Sequence, residues 1–317
     1  MTEPVTGTDG AERPWTSASG PVGLIGAGNM GGRMARRLVA AGYDLRVLDA
    51  DPARAAATGG TPAGSVAEVA GECGVILLSL PDSTVIEAVV RGSDGLLANA
   101  RAAQVIVDLS TADPASTRVL HDELAARGPR YLDAGISGGA AAAEKGTLTL
   151  MVGGDPSALA AVQPVLDVIS ASVHHMGASG SGHVTKVLNN FLNGVTLAAT
   201  AEVMVAGQQA GLDLAQLLDV INSSSGVSYA SLNRFPHIIQ GDYLEGGLTG
   251  TLMAKDIRLY LTLAENLRVT TLVGPATLTA FQVSNALGYA DMISNRVVDS
   301  YGDLAGGVRV TQKEGSM

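Results

Sequence analysis

PVGLIGAGNMGGRMARRLVAAG, residues 21–42, runs from a short apolar segment through a cluster of glycines into an amphipathic one. Residues 21–28 predict a buried strand entering a turn. Residues 30–41 predict a helix, with Gly42 placed to cap its C-terminus. Gly26, Gly28 and Gly31 form G-x-G-x-x-G between the two. In that setting Gly26 allows the tight turn, Gly28 lets a pyrophosphate approach the backbone, and Gly31 lets the helix pack on the sheet. The N–H groups along Gly26, Ala27, Gly28, Asn29, Met30 and Gly31 are then available to hold an anion. DLRVLDA, 44–50, predicts a second strand, and Asp49 near its end lies 23 residues after Gly26. A carboxylate there accepts from an adenosine ribose 2′-hydroxyl and repels a 2′-phosphate. The expected cofactor is NAD. NADP is the alternative, because Arg46 and Arg54 are close in sequence.

The alternation continues outward from this stretch. GVILLSL (74–80), QVIVDLS (104–110), RYLDAGI (130–136) and TLTLMVGG (147–154) predict strands, and 52–57, 83–90, 114–128 and 156–169 predict helices. Such a pattern gives a mostly parallel sheet covered by helices on both faces. Its strand ends line the ligand crevice, which singles out Pro81, Ser110 and Thr111. Ser137-Gly138-Gly139 is a turn with exposed amides suited to an anion. From about 182 to 210 the spacing predicts one long helix, able to connect two bodies, and 213–222, 228–239, 252–267, 272–287 and 290–300 predict further helices with no strand after 180. The expected fold class is α/β plus all-α. Its parts are a disordered leader (1–20), a Rossmann-type domain (21–180), an all-helical domain including the long connecting helix (181–303) and a flexible tail (304–317).

Composition excludes several functions. Thirty acidic residues against twenty basic ones give a formal net charge of −10, which disfavours nucleic acid and anionic membranes as partners. Three Phe, one Trp and seven Tyr are too few for a base-stacking surface. One cysteine, Cys73, excludes an internal disulfide and a thiolate-rich metal centre, and suggests a cytoplasmic setting. No apolar run reaches the length of a membrane span, and residues 1–20 lack the features of a signal peptide. His174, His175 and His183 lack metal-ligand spacing, so no metal is expected.

Lys186 and Asn190 are four residues apart on the predicted long helix and share a face. Their neighbours Val184, Val187, Leu188, Phe191 and Leu192 are apolar. Polar groups are costly to bury unpaired, so a functional site and a surface lysine are the two readings of this pattern. Lys255-Asp256 reads as an ordinary solvated pair on a later helix.

Several blocks together resemble the β-hydroxyacid dehydrogenase family, which includes 3-hydroxyisobutyrate dehydrogenase: GLIGAGNMGGRMARRL, LSLPDS, VDLSTADP, DAGISGGAAAAEKGTLTLMVGG, GHVTKVLNNFLNG and LMAKDIRLYL. The resemblance covers about residues 21–300. It implies hydride transfer between a nicotinamide cofactor and a 3-hydroxy acid or its semialdehyde. It implies Lys186 as the catalytic acid–base, Asn190 as a substrate ligand, and Ser110 and the Ser137-Gly138-Gly139 turn as substrate-binding. Leu80, Pro81, Thr111 and Lys255 match cofactor contacts, and a homodimer or homotetramer is implied. Two departures stand out. Gly135 occupies a position where the family carries Pro, which is expected to loosen the turn, and His183 stands where Gln or Ala is common, placing it against the substrate or just behind it. The other readings are an imine or ketone reductase on the same fold and a catalytically inactive dinucleotide-binding regulator.

Overall fold

The computed structural model describes residues 14–311. In chain order the elements are β1 (Val22–Ile25), α1 (Gly31–Ala40), β2 (Leu45–Leu48), α2 (Pro52–Ala56), β3 (Thr61–Pro62), α3 (Val66–Glu72), β4 (Val75–Leu78), α4 (Ser83–Arg91), α5 (Leu96–Asn99), β5 (Val105–Asp108), α6 (Pro114–Ala125), β6 (Arg130–Ser137), α7 (Gly139–Lys145), β7 (Leu148–Gly153), α8 (Pro156–Asp167), β8 (Ser170–Gly177) and α9 (Ser181–Gln209). They are followed by α10 (Leu214–Asn222), α11 (Tyr229–Asn233), α12 (Phe235–Ile238), α13 (Gly250–Asn266), α14 (Val273–Ser284) and α15 (Val297–Leu304). The chain divides into two compact units after Lys186, a point inside α9. This is a Rossmann-type α/β unit followed by a helical one, the expected fold class.

The first unit holds one sheet in the order β3-β2-β1-β4-β5-β6-β7-β8, parallel except where β6 meets β7. Strands β1 and β4 are four-residue apolar runs, β5 is Val-Ile-Val ending in Asp108, and all three are buried on both faces. Alternate side chains serve opposite layers: Val22, Leu24, Val75 and Leu77 pack in one, Ile25, Ile76 and Leu78 in the other. The register aligns Ile25 with Leu48 and Leu78, and Leu78 with Asp108. The loops after these strands therefore leave the sheet at one edge, on either side of the switch point between β1 and β4.

Local chemistry fixes the helix starts. Three Asp-Pro pairs open α2, α6 and α8: Asp51, Asp113 and Asp155 accept from the backbone N–H two residues on, and Pro fills the first helical position. The hydrogen bonds from Ser157 hold the Asp155 carboxyl below its usual range.

Four expectations need correction. Residues 1–13 of the expected leader lie outside the described residues, but Trp15 packs on the core and its N–H donates to Ala161 O at 2.6 Å. Residues 170–177 form β8, an edge strand whose exposed His174, His175 and Met176 give no apolar signal. The expected helix 228–239 is broken at Arg234, because Pro236 cannot continue the N–H ladder of α11. In the expected tail, Val308 and Val310 pack on the helical core, and Arg309 pairs with Asp303. Residues 312–317 lie outside the described residues. Among the described residues, no helix is long and apolar enough to cross a membrane.

Candidate active site

The glycine turn is closed on one side and open on the other. Gly26 has φ +98°, in the left-handed region, and a Cβ there would strike Ser79 O. A Cβ on Gly31 would collide with Gly26 O, whereas one built on Gly28 meets nothing within 4 Å. The open face beside Gly28 and the N-terminus of α1 fit the diphosphate of a dinucleotide. Asp49 is half-buried and tied to this turn: Ala27 N–H donates to Oδ2 at 2.6 Å and Asp51 N–H to Oδ1 at 2.9 Å. Arg46, weighed above as a 2′-phosphate partner, is held by Glu72 at 2.6 Å and by Asp44, and these acids push its pKa up. Arg54 lies 3.6 Å from Asp51. Asn29 accepts from Arg33 through its carbonyl and its side-chain oxygen.

The strand-end loops lie beside the turn. Leu80 N–H donates to Ser110 Oγ at 2.9 Å, and Ser110 N–H donates to Asp108 Oδ1 at 3.0 Å. Ser110 is thus buried and locks the Leu80–Pro81 loop to the end of β5. Thr111 follows it, half-buried. At the end of β6, Ser137 is half-buried, and the exposed Gly138 and Gly139 lead into α7. Gly138 has φ +122°, and a Cβ on it would press on Ala142.

Lys186 is only 9% exposed. Its stem lies directly over Gly135: a Cβ on that glycine would overlap Lys186 Cβ and lie 2.9 Å from Cγ. Gly135 is therefore not a loosened turn. It is an extended position inside β6 whose missing side chain makes room for the lysine. Ser137 is two residues further along the same strand, about 7 Å away. The Ser137-Gly138-Gly139 turn and Lys186 are neighbours within the first unit.

The seat of Lys186 is a buried polar network that the sequence reading did not anticipate. Asp133, fully buried on β6, accepts from Gly180 N–H at 2.7 Å and His183 N–H at 2.8 Å, capping α9. Asp108 pairs with Asp133 across β5 and β6 and accepts from the Tyr131 hydroxyl at 2.7 Å. Burial and then Asp108 push the Tyr131 pKa well up, so the phenol stays a donor. His183 is also fully buried, its ring 2.7 Å from Thr117 Oγ1 and 3.3 Å from Asp108 O. Both ring nitrogens are engaged by the protein, which suits the second of the two expected positions for His183, behind the substrate and not against it. The only signal for Asp133 was an acid inside an apolar strand, RYLDAGI.

In the second unit, Asn190 is buried and its Nδ2 donates to Asp256 Oδ2 at 2.5 Å. Asp256 is 1% exposed, so Lys255-Asp256 is not the solvated pair expected. Lys255 Nζ lies 3.2 Å from Asp256 Oδ1, an ion-pair contact out of hydrogen-bond alignment. A buried carboxylate needs such partners, and here it fixes which way the Asn190 amide points.

This arrangement has counterparts. Residues 21–177 match the NAD-binding domain of 6-phosphogluconate dehydrogenase, and 180–299 match the NAD-binding family of NADP-dependent 3-hydroxyisobutyrate dehydrogenase. The 2-(hydroxymethyl)glutarate dehydrogenase of Eubacterium barkeri is 33% identical over 288 residues, 90% of this chain and 96% of that protein. The mitochondrial 3-hydroxyisobutyrate dehydrogenase of Mus musculus is 35% identical over 279 residues, 85% of this chain and 83% of that one. The solved structure of Mycobacterium tuberculosis 3-hydroxyisobutyrate dehydrogenase with L-serine superposes with a TM-score of 0.81 at 30% identity, covering 88% of this chain and 98% of that one. With a dinucleotide turn, a buried lysine beside the Ser-Gly-Gly turn and matches along nearly its whole length, the chain belongs to the 3-hydroxyisobutyrate dehydrogenase family of NAD(P)-dependent β-hydroxyacid dehydrogenases.

Proposed function

We propose that the protein interconverts a 3-hydroxy acid and its semialdehyde, preferring NAD to NADP, with Lys186 as the acid–base group. The observation that carries this is the seating of Lys186 over Gly135, two residues from Ser137. The Ser137-Gly138-Gly139 amides hold the substrate carboxylate, helped by the Ser110 hydroxyl. Asn190, oriented by Asp256, directs the reacting hydroxyl toward Lys186. In oxidation the neutral lysine Nζ takes the hydroxyl proton, and in reduction the charged form returns it to the new alkoxide. With the cofactor's diphosphate held at the glycine turn, its nicotinamide group would supply the two-electron redox chemistry.

The NAD preference is supported by Asp49, which presents a carboxylate at the end of β2, and by the acids that already engage Arg46. Leu80, Pro81, Thr111 and Lys255 contact or cover the cofactor in this reading. A homo-oligomer is supported by apolar side chains exposed on the helical unit, Leu192 at 63% and Leu272 at 85%. The single buried cysteine suits a cytoplasmic setting.

One experiment tests the reading. Steady-state turnover of 3-hydroxy acids is measured with NAD and NADP for the wild type and Lys186→Ala, alongside cofactor binding by fluorescence. Lys186→Ala is expected to lose roughly 10²–10⁴ in kcat while still binding NAD. Near-normal turnover in that variant would remove the lysine from the chemistry, and a wild-type preference for NADP would remove Asp49 from cofactor selection.

A further inference from the structure

The first turn of α9 is seated on bare backbone of the first unit. A Cβ on Gly135 would strike Lys186 Cβ, and one on Gly182 would strike the carbonyl oxygens of Asp133 and Met151. Glycines let a helix approach a sheet this closely, but they offer no side chain to key it against rolling or sliding. Asp133 holds the turn by its backbone, through the N–H groups of Gly180 and His183. A second anchor is needed to fix how the turn is rotated, and the His183 side chain supplies one.

The imidazole spans two other elements. Nε2 lies 3.3 Å from Asp108 O at the end of β5, and Nδ1 lies 2.7 Å from Thr117 Oγ1 on α6. A carbonyl oxygen only accepts, so Nε2 carries a proton and donates to it. A hydroxyl can give or take, so Thr117 satisfies Nδ1. Thr117 is itself buried and fixed, its Oγ1 within 3.0 Å of Asp113 O at the start of α6. The same Asp108 accepts from Ser110 N–H through Oδ1, and Ser110 Oγ accepts from Leu80 N–H. One buried ring therefore joins the helix that bears Lys186 to the strand end that carries Ser110 and the Leu80–Pro81 loop. His183 precedes Lys186 by three residues, so the two are neighbours on the helix surface.

We propose that His183 is a positioning residue: its ring, clamped between Thr117 and Asp108, sets the rotation of the first turn of α9 and so the place of the Lys186 amine. The consequence for turnover rests on the reading of Lys186 as the acid–base group. The placement of the lysine by the ring does not.

The test uses the full-length protein with NAD and the 3-hydroxy acid that the wild type turns over fastest. His183→Ala, His183→Gln and Thr117→Val are each made in the wild type and in Lys186→Ala. His183→Ala should lower kcat by about tenfold or more, the cost of a misplaced reacting group, and leave both KM values within about twofold. His183→Gln should recover most of that loss, because its amide can donate to Asp108 O while its oxygen accepts from Thr117. Thr117→Val keeps the volume and removes the hydroxyl. It should show a smaller loss of the same kind, and it carries the test if the alanine variant does not fold. In the Lys186→Ala background, His183→Ala should change the residual rate by less than about twofold, since no lysine is left to place. A full further loss in that background, a loss confined to the substrate KM, or an unchanged kcat in both His183→Ala and Thr117→Val overturns the proposal. Reductive methylation of Lys186 is followed in parallel by mass spectrometry, with the exposed Lys145 as reference. If Lys186→Ala turns over normally, the acid–base reading fails and the labelling decides His183. Faster labelling of Lys186 in His183→Ala and Thr117→Val, restored to the wild-type rate in His183→Gln, supports the positioning role, and equal labelling in all four proteins sinks it.

Discussion

Lys186 and Gly135 form one feature from two residues far apart in sequence. The lysine stem occupies the volume a side chain at 135 would need, so the glycine determines where the amine can reach. Gly135→Ala adds one methyl, and either β6 or Lys186 must move to admit it. Overpacking of this kind costs about 1–3 kcal/mol, and here the strain falls on Lys186, the acid–base group proposed above. The expected outcome is a fall in kcat of roughly tenfold or more, since sub-ångström to ångström misplacement of a reacting group is that expensive. NAD affinity should hold, because the glycine turn lies on another strand. Stopped-flow turnover with a parallel NAD titration checks this, and equal losses in both would indicate general damage to the sheet. Residue spacing put Lys186 and Asn190 on one helix face and left a functional site and a surface lysine both open; the family resemblance, not the spacing, singled them out. The role of Asp256 was not legible in the sequence, because its partner Asn190 is 66 residues away and a dipeptide does not announce its own burial.

At the scale of elements, α9 is attached to the sheet by its first turn. Asp133 caps it through two backbone N–H groups, and Gly182 approaches Gly153 so closely that a Cβ on Gly182 would lie 2.8 Å from Gly153 N. Lys186 follows one turn later, so this cap sets the position of the lysine. Asp133→Asn keeps the shape and loses the charge, and its amide can accept with only one atom. The variant should unfold about 1–2 kcal/mol more easily, the usual range for a lost cap or charged hydrogen bond. The alkaline limb of its kcat–pH profile should also move relative to wild type, a readout that a stability loss alone would leave in place. The strands of the nucleotide-binding half were readable because burial on both faces makes them continuous apolar runs. Edge strand β8 was not, since its outward residues are polar. Helix α7 was missed for a related reason: GAAAAEK has one buried alanine and no apolar stripe.

The whole molecule is acidic and glycine-rich, yet its stability should be most sensitive to pH on the alkaline side. Three buried proton donors are responsible. Cys73 is fully buried in the first unit, and desolvation pushes its pKa from 9.0 up to about 12. Tyr131 in that unit and Tyr243 in the helical one are also raised, first by burial and then by a neighbouring carboxylate. For a group whose pKa is higher folded than unfolded, the folded chain keeps its proton longer. The stabilisation is complete below the unfolded pKa and is lost as pH rises toward the folded one. For Cys73 that window runs from about 9 to about 12. Three pH units correspond to about 4 kcal/mol at most, and roughly half of that is gone midway through the window. Urea midpoints measured between pH 8 and 11 should therefore fall steeply from about pH 9. Cys73→Ala, which removes the thiol, should start from a lower midpoint at pH 8 because of the small cavity, and should then decline less steeply. The native thiol should resist alkylation at pH 8.5 and react only on unfolding, because a buried protonated sulfur is a poor nucleophile. A midpoint that falls equally in both proteins would transfer the alkaline sensitivity to the tyrosines, and Tyr243→Phe would then be the variant that flattens the curve of the helical unit.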